Sequence, residues 1–180
     1  IEKKGKGEVQ VALDHLTELI NKNPSFAVAF LERAKIKRYS LNDLNGANDD
    51  FKKYLDLEPN DNNACFEYAD VLGYLDRFEE SIFYYKKAIK IISSDRKQKD
   101  LYLWGYIYRC IAEDEVCLYR FDDAIASLKK AVETTLKNPY ESSYDEVVDI
   151  FEEIVLIHIR DRKNIKDAIS SLEEIIQIRH

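Results

Sequence analysis

The strongest constraint on the fold is a small residue that recurs five times between large apolar residues. Each time, an apolar residue stands three positions before the small one, and further apolar or small residues follow four and seven positions after it. Offsets of three and four place all four positions on one stripe of an α-helix, where the small residue lets a neighbouring helix approach closely. The five stripes are Val9-Ala12-Leu16-Leu19, Leu44-Ala47-Phe51-Tyr54, Phe78-Ser81-Tyr85-Ala88, Phe121-Ala124-Leu128-Ala131 and Ile165-Ala168-Leu172-Ile175.

The spacing of these small residues indicates a repeat built from two helices. Successive small residues lie 35, 34, 43 and 44 positions apart. Between the stripes, Ala34, Ala69 and Ala112 occupy helical segments of their own and precede the next small residue by 13, 12 and 12 positions. The interval of 13 predicts one extra residue in the first connecting loop. A helix–turn–helix unit repeated along the chain is therefore expected.

The unit resembles the tetratricopeptide repeat family, whose helical pairs span about 34 residues. Pro24 and Pro59 each follow the small residue of a stripe by 12 positions, where the family has a closing proline. The resemblance implies an all-α fold, a right-handed superhelical solenoid of antiparallel helix pairs. In the last two repeats the additional residues are expected to lengthen the first helices, to roughly 97–118 and 141–160.

The predicted boundaries form a single tetratricopeptide-like domain over residues 1–180. An orphan helix over 8–22 is followed by repeats at about 25–58, 61–93, 97–137 and 141–179. Gly7 and Val9 stand where the turn between paired helices is expected, which makes the orphan helix the second of its pair. Because the sequence starts with Ile1 and contains no Met, a fragment of a longer protein is expected.

Charge and cysteine content exclude several kinds of partner and site. The chain carries 27 basic and 34 acidic residues, a net charge of −7, which disfavours nucleic acid and anionic membrane surfaces. No apolar run approaches the roughly 18 residues of a membrane-spanning helix, and no signal peptide opens the chain. The three cysteines, Cys65, Cys110 and Cys117, are an odd number that indicates reduced, buried thiols and a cytoplasmic location.

The sequence contains no catalytic motif. A Gly-rich phosphate loop, a nucleophile elbow and a His-Glu-x-x-His pair are all missing, and the three histidines are not spaced as ligands. His158, within an apolar run, is expected to be a packed core residue. We therefore predict no enzymatic activity, no cofactor and no metal.

The aromatic segment 101–108, which contains Trp104, allows two interpretations. It can form a platform for a partner side chain, since Trp and Tyr are favoured at binding hot spots. It can equally form the packed centre of a long repeat, with Gly105 allowing a neighbouring helix to approach. The second interpretation is the one that base rates favour.

The resemblance also implies where a partner binds, because in tetratricopeptide proteins the first helices line a concave groove that holds a peptide or helix. We expect Tyr39, Phe66 and Tyr74 to bury apolar side chains of a protein partner, with charged neighbours setting its register. Alternatives are a scaffold or self-association role as a homo-oligomer, and a regulatory segment of a larger enzyme. The candidate groove residues are Glu32, Lys35, Arg38, Tyr39, Asn63, Phe66, Glu67, Asp70, Tyr74, Arg109 and Glu113.

Overall fold

A computed structural model describes residues 2–94, 101–137, 143–161 and 163–178, and the described chain is helical without any strand. Short turns join successive helices wherever the connection is described. The helices are α1 (Glu2–Lys22), α2 (Ala27–Lys35), α3 (Leu44–Leu57), α4 (Asn62–Tyr74), α5 (Phe78–Ser94), α6 (Leu101–Cys117), α7 (Phe121–Leu136), α8 (Ser143–Leu156) and α9 (Ile165–Ile178). Two π-helical turns, Ile36–Ser40 and Ile157–Asp161, extend α2 and α8.

The chain is divided into two compact units, Ile1–Ile91 (unit 1) and Ile92–His180 (unit 2). The centre of unit 1 contains Phe51 and Tyr68, whose stacked rings lie 6.2 Å apart between centroids. In unit 2, Leu128 of α7 and Ile154 of α8 are fully buried in one apolar cluster. The expectation of a single domain over the whole chain stays a prediction.

Side-chain caps explain where two of the helices begin. Asp43 accepts a hydrogen bond from the Gly46 amide at 2.9 Å at the start of α3, and Asp61 accepts one from the Ala64 amide at 3.0 Å at the start of α4. Such caps satisfy amides that have no partner inside the helix, and each is typically worth about 1 kcal/mol.

The small residues of the stripes are buried as predicted. Ala47, Ser81, Ala124 and Ala168 are almost fully buried, and Ala12 is half-buried. These residues mark where helices approach each other most closely.

Two stripe residues, Ser81 and Ile165, differ from their counterparts in the other stripes. The hydroxyl of Ser81 donates to the Ala69 carbonyl at 2.9 Å, which makes a polar group acceptable in the core. Ile165, the first residue of α9, is 69% exposed. The side chains of a helix point towards its N-terminus. Because Ile165 is the first residue of α9, its side chain extends beyond the part of the helix that packs against its neighbours.

Each turn within a helix pair contains one residue with a left-handed backbone. These residues have φ values of 53° to 58°, and each lies five positions before the small residue of the following stripe. The four residues are Asn42, Asp76, Tyr119 and Lys163. This common geometry fixes the same register in all four pairs.

The extra residue of the first pair was predicted to lie in the loop, and this was wrong. The amide of Asp43 donates to the carbonyl of Lys37, six positions back, at 2.8 Å. In the second pair the amide of Arg77 donates to Leu72, five positions back, at 2.9 Å. The hydrogen bonds of a π-helical turn span one residue more than those of an α-helix. The turn Ile36–Ser40 therefore accommodates the extra residue at the end of the first helix rather than in the loop.

The N-terminal helix also differs from the prediction. It runs from Glu2 to Lys22 without interruption, so Gly7 lies inside a helix rather than in a turn. A glycine in an exposed helix costs only about 1 kcal/mol relative to alanine, which the helix tolerates. Nothing lies within 4 Å of the position that a Gly7 side chain would occupy.

The first helices of unit 2 are longer than those of unit 1 over the residues described. α6 has 17 residues, and α8 has 14 followed by a π-helical turn of 5. In unit 1, α4 has 13 residues, and α2 has 9 followed by a turn of 5. The predicted starts near 97 and 141 lie outside the described residues.

Part of the aromatic segment of α6 packs against α7, in agreement with the second interpretation, whereas Tyr106 is 44% exposed. Ile107 is fully buried, whereas Trp104 and Tyr108 are half-buried. A β-carbon added to Gly105 would lie 2.8 Å from the Oγ1 atom of the buried Thr135. The side chain of Thr135 therefore favours glycine over alanine at position 105.

We expect Gly105→Ala to lower the free energy of unfolding by about 1–2 kcal/mol, because the clash outweighs the gain in helix propensity. In a Thr135→Ala background, the same substitution should be neutral or stabilising. Gly7→Ala, in open surroundings, should stabilise by about 0.5–1 kcal/mol. Urea denaturation of the four variants checks this, and an equal cost with and without Thr135 would contradict the proposed contact.

The cysteines and His158 give a mixed outcome. Cys65 is buried, and its burial raises the pKa of the thiol to about 11. Cys110 is half-buried and Cys117 is exposed, so the expectation that all three are buried was wrong. Cys117 is the last residue of α6, beyond the packed turns. His158 is buried, as predicted.

Candidate peptide-binding faces

In unit 1 the candidate residues lie on two neighbouring first helices. Arg38 at the end of α2 donates to the carbonyl oxygen of Glu67 in α4 at 3.1 Å and to the carboxylate of Asp70. These contacts bring the two helices' candidate residues together. This unit 1 face comprises Glu32, Lys35, Arg38, Tyr39, Asn63, Phe66, Glu67, Asp70 and Tyr74.

The charged residues at the centre of this face are paired with one another. The side chains of Arg38 and Asp70 are largely buried, and the hydroxyl of Tyr85 donates to the second oxygen of Asp70. Burial lowers the pKa of Arg38, but the hydrogen bond and charge of Asp70 outweigh it, so that pKa is raised overall. The sequence analysis assigned these charges to the register of a partner. In the structure they join α2 to α4.

Glu67 is shared among several groups of the same face. Its carboxylate accepts a hydrogen bond from the Tyr39 hydroxyl at 3.4 Å and lies 4.0 Å from the ammonium of Lys35, which also contacts Glu32 at 3.4 Å. Burial raises the pKa of Glu67, against the opposing charges of Lys35 and Arg38. The carboxylate therefore helps to hold Tyr39 and Lys35 in place.

Two tyrosines form the accessible apolar part of the unit 1 face. Tyr39 is 65% exposed and Tyr74 is 70% exposed. Together with Arg38, Asn42 and Leu44 they line a hollow of about 270 Å³. The guanidinium of Arg38 lies over the Tyr39 ring, 4.7 Å from its centroid, which orients that ring.

Phe66 and Asn63 contribute less than the sequence suggested. Phe66 is half-buried, and its ring centroid lies 5.8 Å from that of Tyr85. The ring therefore belongs partly to the core. Asn63 is exposed near the start of α4 and does not line the hollow.

In unit 2 a cleft of larger volume lies between the first helices α6 and α8. Arg109 of α6 forms an ion pair with Glu153 of α8, and Glu113 is exposed on the same side of α6. The cleft has a volume of about 350 Å³. Its lining residues, which define the α6–α8 cleft, are Ala112, Glu113, Val116, Leu128, Glu153, Leu156, Ile157 and Arg160.

The sequence analysis missed the apolar wall that α8 contributes. Leu156, 58% exposed, and Ile157 follow Glu153 by three and four positions, a spacing that places all three on one helical face. This spacing could have indicated the wall, because offsets of three and four mark residues that share a helical face. The apolar run around His158 was instead read as core alone.

Metal binding and membrane insertion find no support in the described parts of the chain. There, no group of three or more His, Cys, Asp or Glu side chains is placed to hold a metal ion. None of the described helices combines the length and apolarity needed to cross a membrane.

Comparison with known proteins connects this geometry to a repeat type. The family model of the tetratricopeptide repeat matches residues 63–95, which include α5 and all of α4 except its first residue. Residues 63–95 are a tetratricopeptide repeat. The match overlaps the repeat predicted at 61–93 but is displaced from it by two residues, and the predicted repeat boundaries stay a prediction. No curated protein matches the chain by sequence.

Solved structures extend the likeness in fold to nearly the whole chain. A crystal structure of MamA protein is 15% identical, with 98% of this chain and 86% of that chain covered and a TM-score of 0.73. MamA 41-end from Desulfovibrio magneticus RS-1 is 15% identical, with coverage of 97% and 87% and a TM-score of 0.69.

A third structure carries the repeat type in its description. The Podosopora anserina putative kinesin light chain with nearly identical TPR-like repeats is 14% identical, with coverage of 99% and 90% and a TM-score of 0.69. At such identity the likeness concerns the fold. The predicted all-α, tetratricopeptide-like fold is confirmed.

Proposed function

We propose that this chain is a non-catalytic protein–protein interaction module that holds a peptide or helix of a partner against its first helices. Tetratricopeptide repeats are a protein-interaction fold, and repeat proteins use the surfaces that successive repeats create for binding. The observation that carries the proposal is the α6–α8 cleft, an accessible apolar hollow. It lies on the side of α6 that carries Arg109 and Glu113, two residues predicted to line the partner-binding groove.

The chemistry of the cleft suits a side chain of a partner protein. Val116, Leu128, Leu156 and Ile157 supply its apolar surface, while charged groups stand among them. Its volume of about 350 Å³ lies at the lower end of the roughly 300–1,000 Å³ typical of ligand pockets. Apolar surface with a few polar groups is the usual composition of a site that anchors one or two side chains.

The unit 1 face supplies a second contact region of different character. Tyr39 and Tyr74 present rings that are mostly exposed, and the Tyr39 ring is held in position by Arg38 and Glu67. Tyrosine contributes a large contact area at low entropic cost and is enriched at binding hot spots. A partner would pack here against a Tyr39 ring that is already oriented.

The paired charges contribute to binding indirectly. Arg38 with Asp70, and Arg109 with Glu153, each join two first helices, which are the helices that present the proposed surfaces. A surface held in its bound geometry loses less conformational entropy on association. These residues are therefore positioning residues, and the exposed apolar groups beside them make the contact.

Leu156→Asp should weaken binding through the cleft, because a carboxylate would replace an exposed apolar side chain in its wall. Random peptides displayed on phage are selected on the unaltered chain, and the affinity of the chosen peptides is then measured by fluorescence anisotropy. We expect at least a tenfold loss of affinity, the effect of about 1.4 kcal/mol or more at a contact residue.

Ile159→Asp is the matched control. Ile159 is 52% exposed in the π-helical turn after α8 but does not line the cleft. The Ile159→Asp variant should bind the selected peptides with an affinity within about twofold of that of the unaltered chain. Neither variant should shift the thermal midpoint strongly, because both side chains are exposed. Equal losses in the two variants, or selection of no peptide that depends on Leu156, would contradict the proposed function.

A further inference from the structure

We infer that the segment bound in the α6–α8 cleft is basic: a large apolar side chain flanked by lysine or arginine. This inference rests on the proposed function and adds the chemical class of the partner. It follows from the distribution of charge around the cleft together with the apolar character of its lining.

The helices that form the cleft are acidic. Over Ser143–Leu156, α8 contains five carboxylates and no basic residue. Residues 92–180 contain 13 basic and 18 acidic residues. A basic segment approaching this side of unit 2 is therefore attracted over long range, which raises its rate of association.

An excess of negative over positive charge is also present locally around Arg109. Its guanidinium pairs with Glu153, and the carboxylates of Glu146 and Glu113 also lie close enough to influence it. Burial lowers the pKa of Arg109, while the hydrogen bond and charge of Glu153 and the charges of the other two carboxylates raise it overall. One guanidinium thus faces three negative charges, and Arg160 lies on the opposite helix of the same cleft.

An acidic segment would meet charges of its own sign at this position. Its carboxylates would approach Glu113, Glu146 and Glu153 at a partly desolvated surface, where repulsion between like charges is least screened. A basic segment would instead add positive charge where carboxylates exceed cations. The apolar surface between these charges, formed largely by Val116, Leu156 and Ile157, takes the side chain that lies between the basic residues.

The test selects random 12-residue peptides from a phage library on the full chain and discards those that also bind Leu156→Asp. We expect the remaining peptides to combine a large apolar residue with an excess of Lys and Arg over Asp and Glu. A synthetic peptide with the selected sequence is then titrated against the Glu113→Lys variant, because Glu113 is exposed and lines the cleft. The matched control is Glu152→Lys, an exposed residue of α8 that does not line the cleft.

Glu113→Lys should weaken binding of the peptide about fivefold or more, and Glu152→Lys should change the affinity less than twofold. The loss should shrink as the salt concentration rises, because salt screens exposed charges. Leu156-dependent peptides rich in Asp and Glu, or equal effects of both reversals, would overturn the basic-segment inference while the binding function stands. Failure to select any Leu156-dependent peptide would instead overturn the binding function itself.

Discussion

Replacing Asp50 with alanine should lower the free energy of unfolding by about 3–5 kcal/mol, the range found when one partner of a buried ion pair is removed. Asp50 is only 3% exposed within α3. Its carboxylate accepts two hydrogen bonds from the Arg33 guanidinium, at 2.8 and 2.7 Å, and one from the Lys37 ammonium at 2.7 Å. The substitution would leave two largely buried cations without their counter-charge.

Asp49→Ala provides the control one position earlier in the same helix. Asp49 is exposed and accepts a hydrogen bond from its neighbour Asn48 at 3.0 Å. Its removal should change the free energy of unfolding by less than about 0.5 kcal/mol, as is usual for surface positions. Urea denaturation of both variants measures the difference, and similar effects at the two positions would show that the Arg33–Asp50–Lys37 network contributes little.

Ala124→Leu should destabilise unit 2 by about 1–3 kcal/mol or more, because the added carbons have no space in a closely packed helix contact. Ala124 is the small residue of the α7 stripe and is fully buried. Ala126 lies two positions further along α7 and is exposed, so Ala126→Leu should be nearly neutral. Thermal unfolding compares the two variants. Equal midpoints would contradict the stripe register from which the repeats were predicted.

The helix pairs could be predicted from sequence because the stripes depend on short-range spacing. Offsets of three and four identify a helical face whatever the tertiary context, and the buried positions of Ala47 and Ala124 agree with them. Local details were harder to predict. Gly7 was expected to break a helix that in fact continues through it, and the extra residue before Asp43 enters a π-helical turn. In both cases a helix accommodates a residue that the sequence analysis assigned to a turn or loop.

The candidate site could be predicted only as far as the helix face. Spacing placed Arg38 and Asp70 on that face, but their pairing with each other depends on how α2 packs against α4, which one helix cannot reveal. Phe66 was expected to be exposed, yet Tyr85 of the next helix covers part of its ring. Tertiary contacts of this kind decide which members of a helical face remain available to a partner.

The most direct measurement of the central claim is methyl NMR of the full chain, labelled at isoleucine, leucine and valine and titrated with a Leu156-dependent peptide. If a partner binds between the first helices of unit 2, the largest shifts should occur at methyl groups lining the α6–α8 cleft: Val116, Leu128, Leu156 and Ile157. Ile159 and Ile169, which are exposed elsewhere in unit 2, should move little. Shifts concentrated at Ile159 and Ile169, with the cleft methyl groups unchanged, would contradict the account.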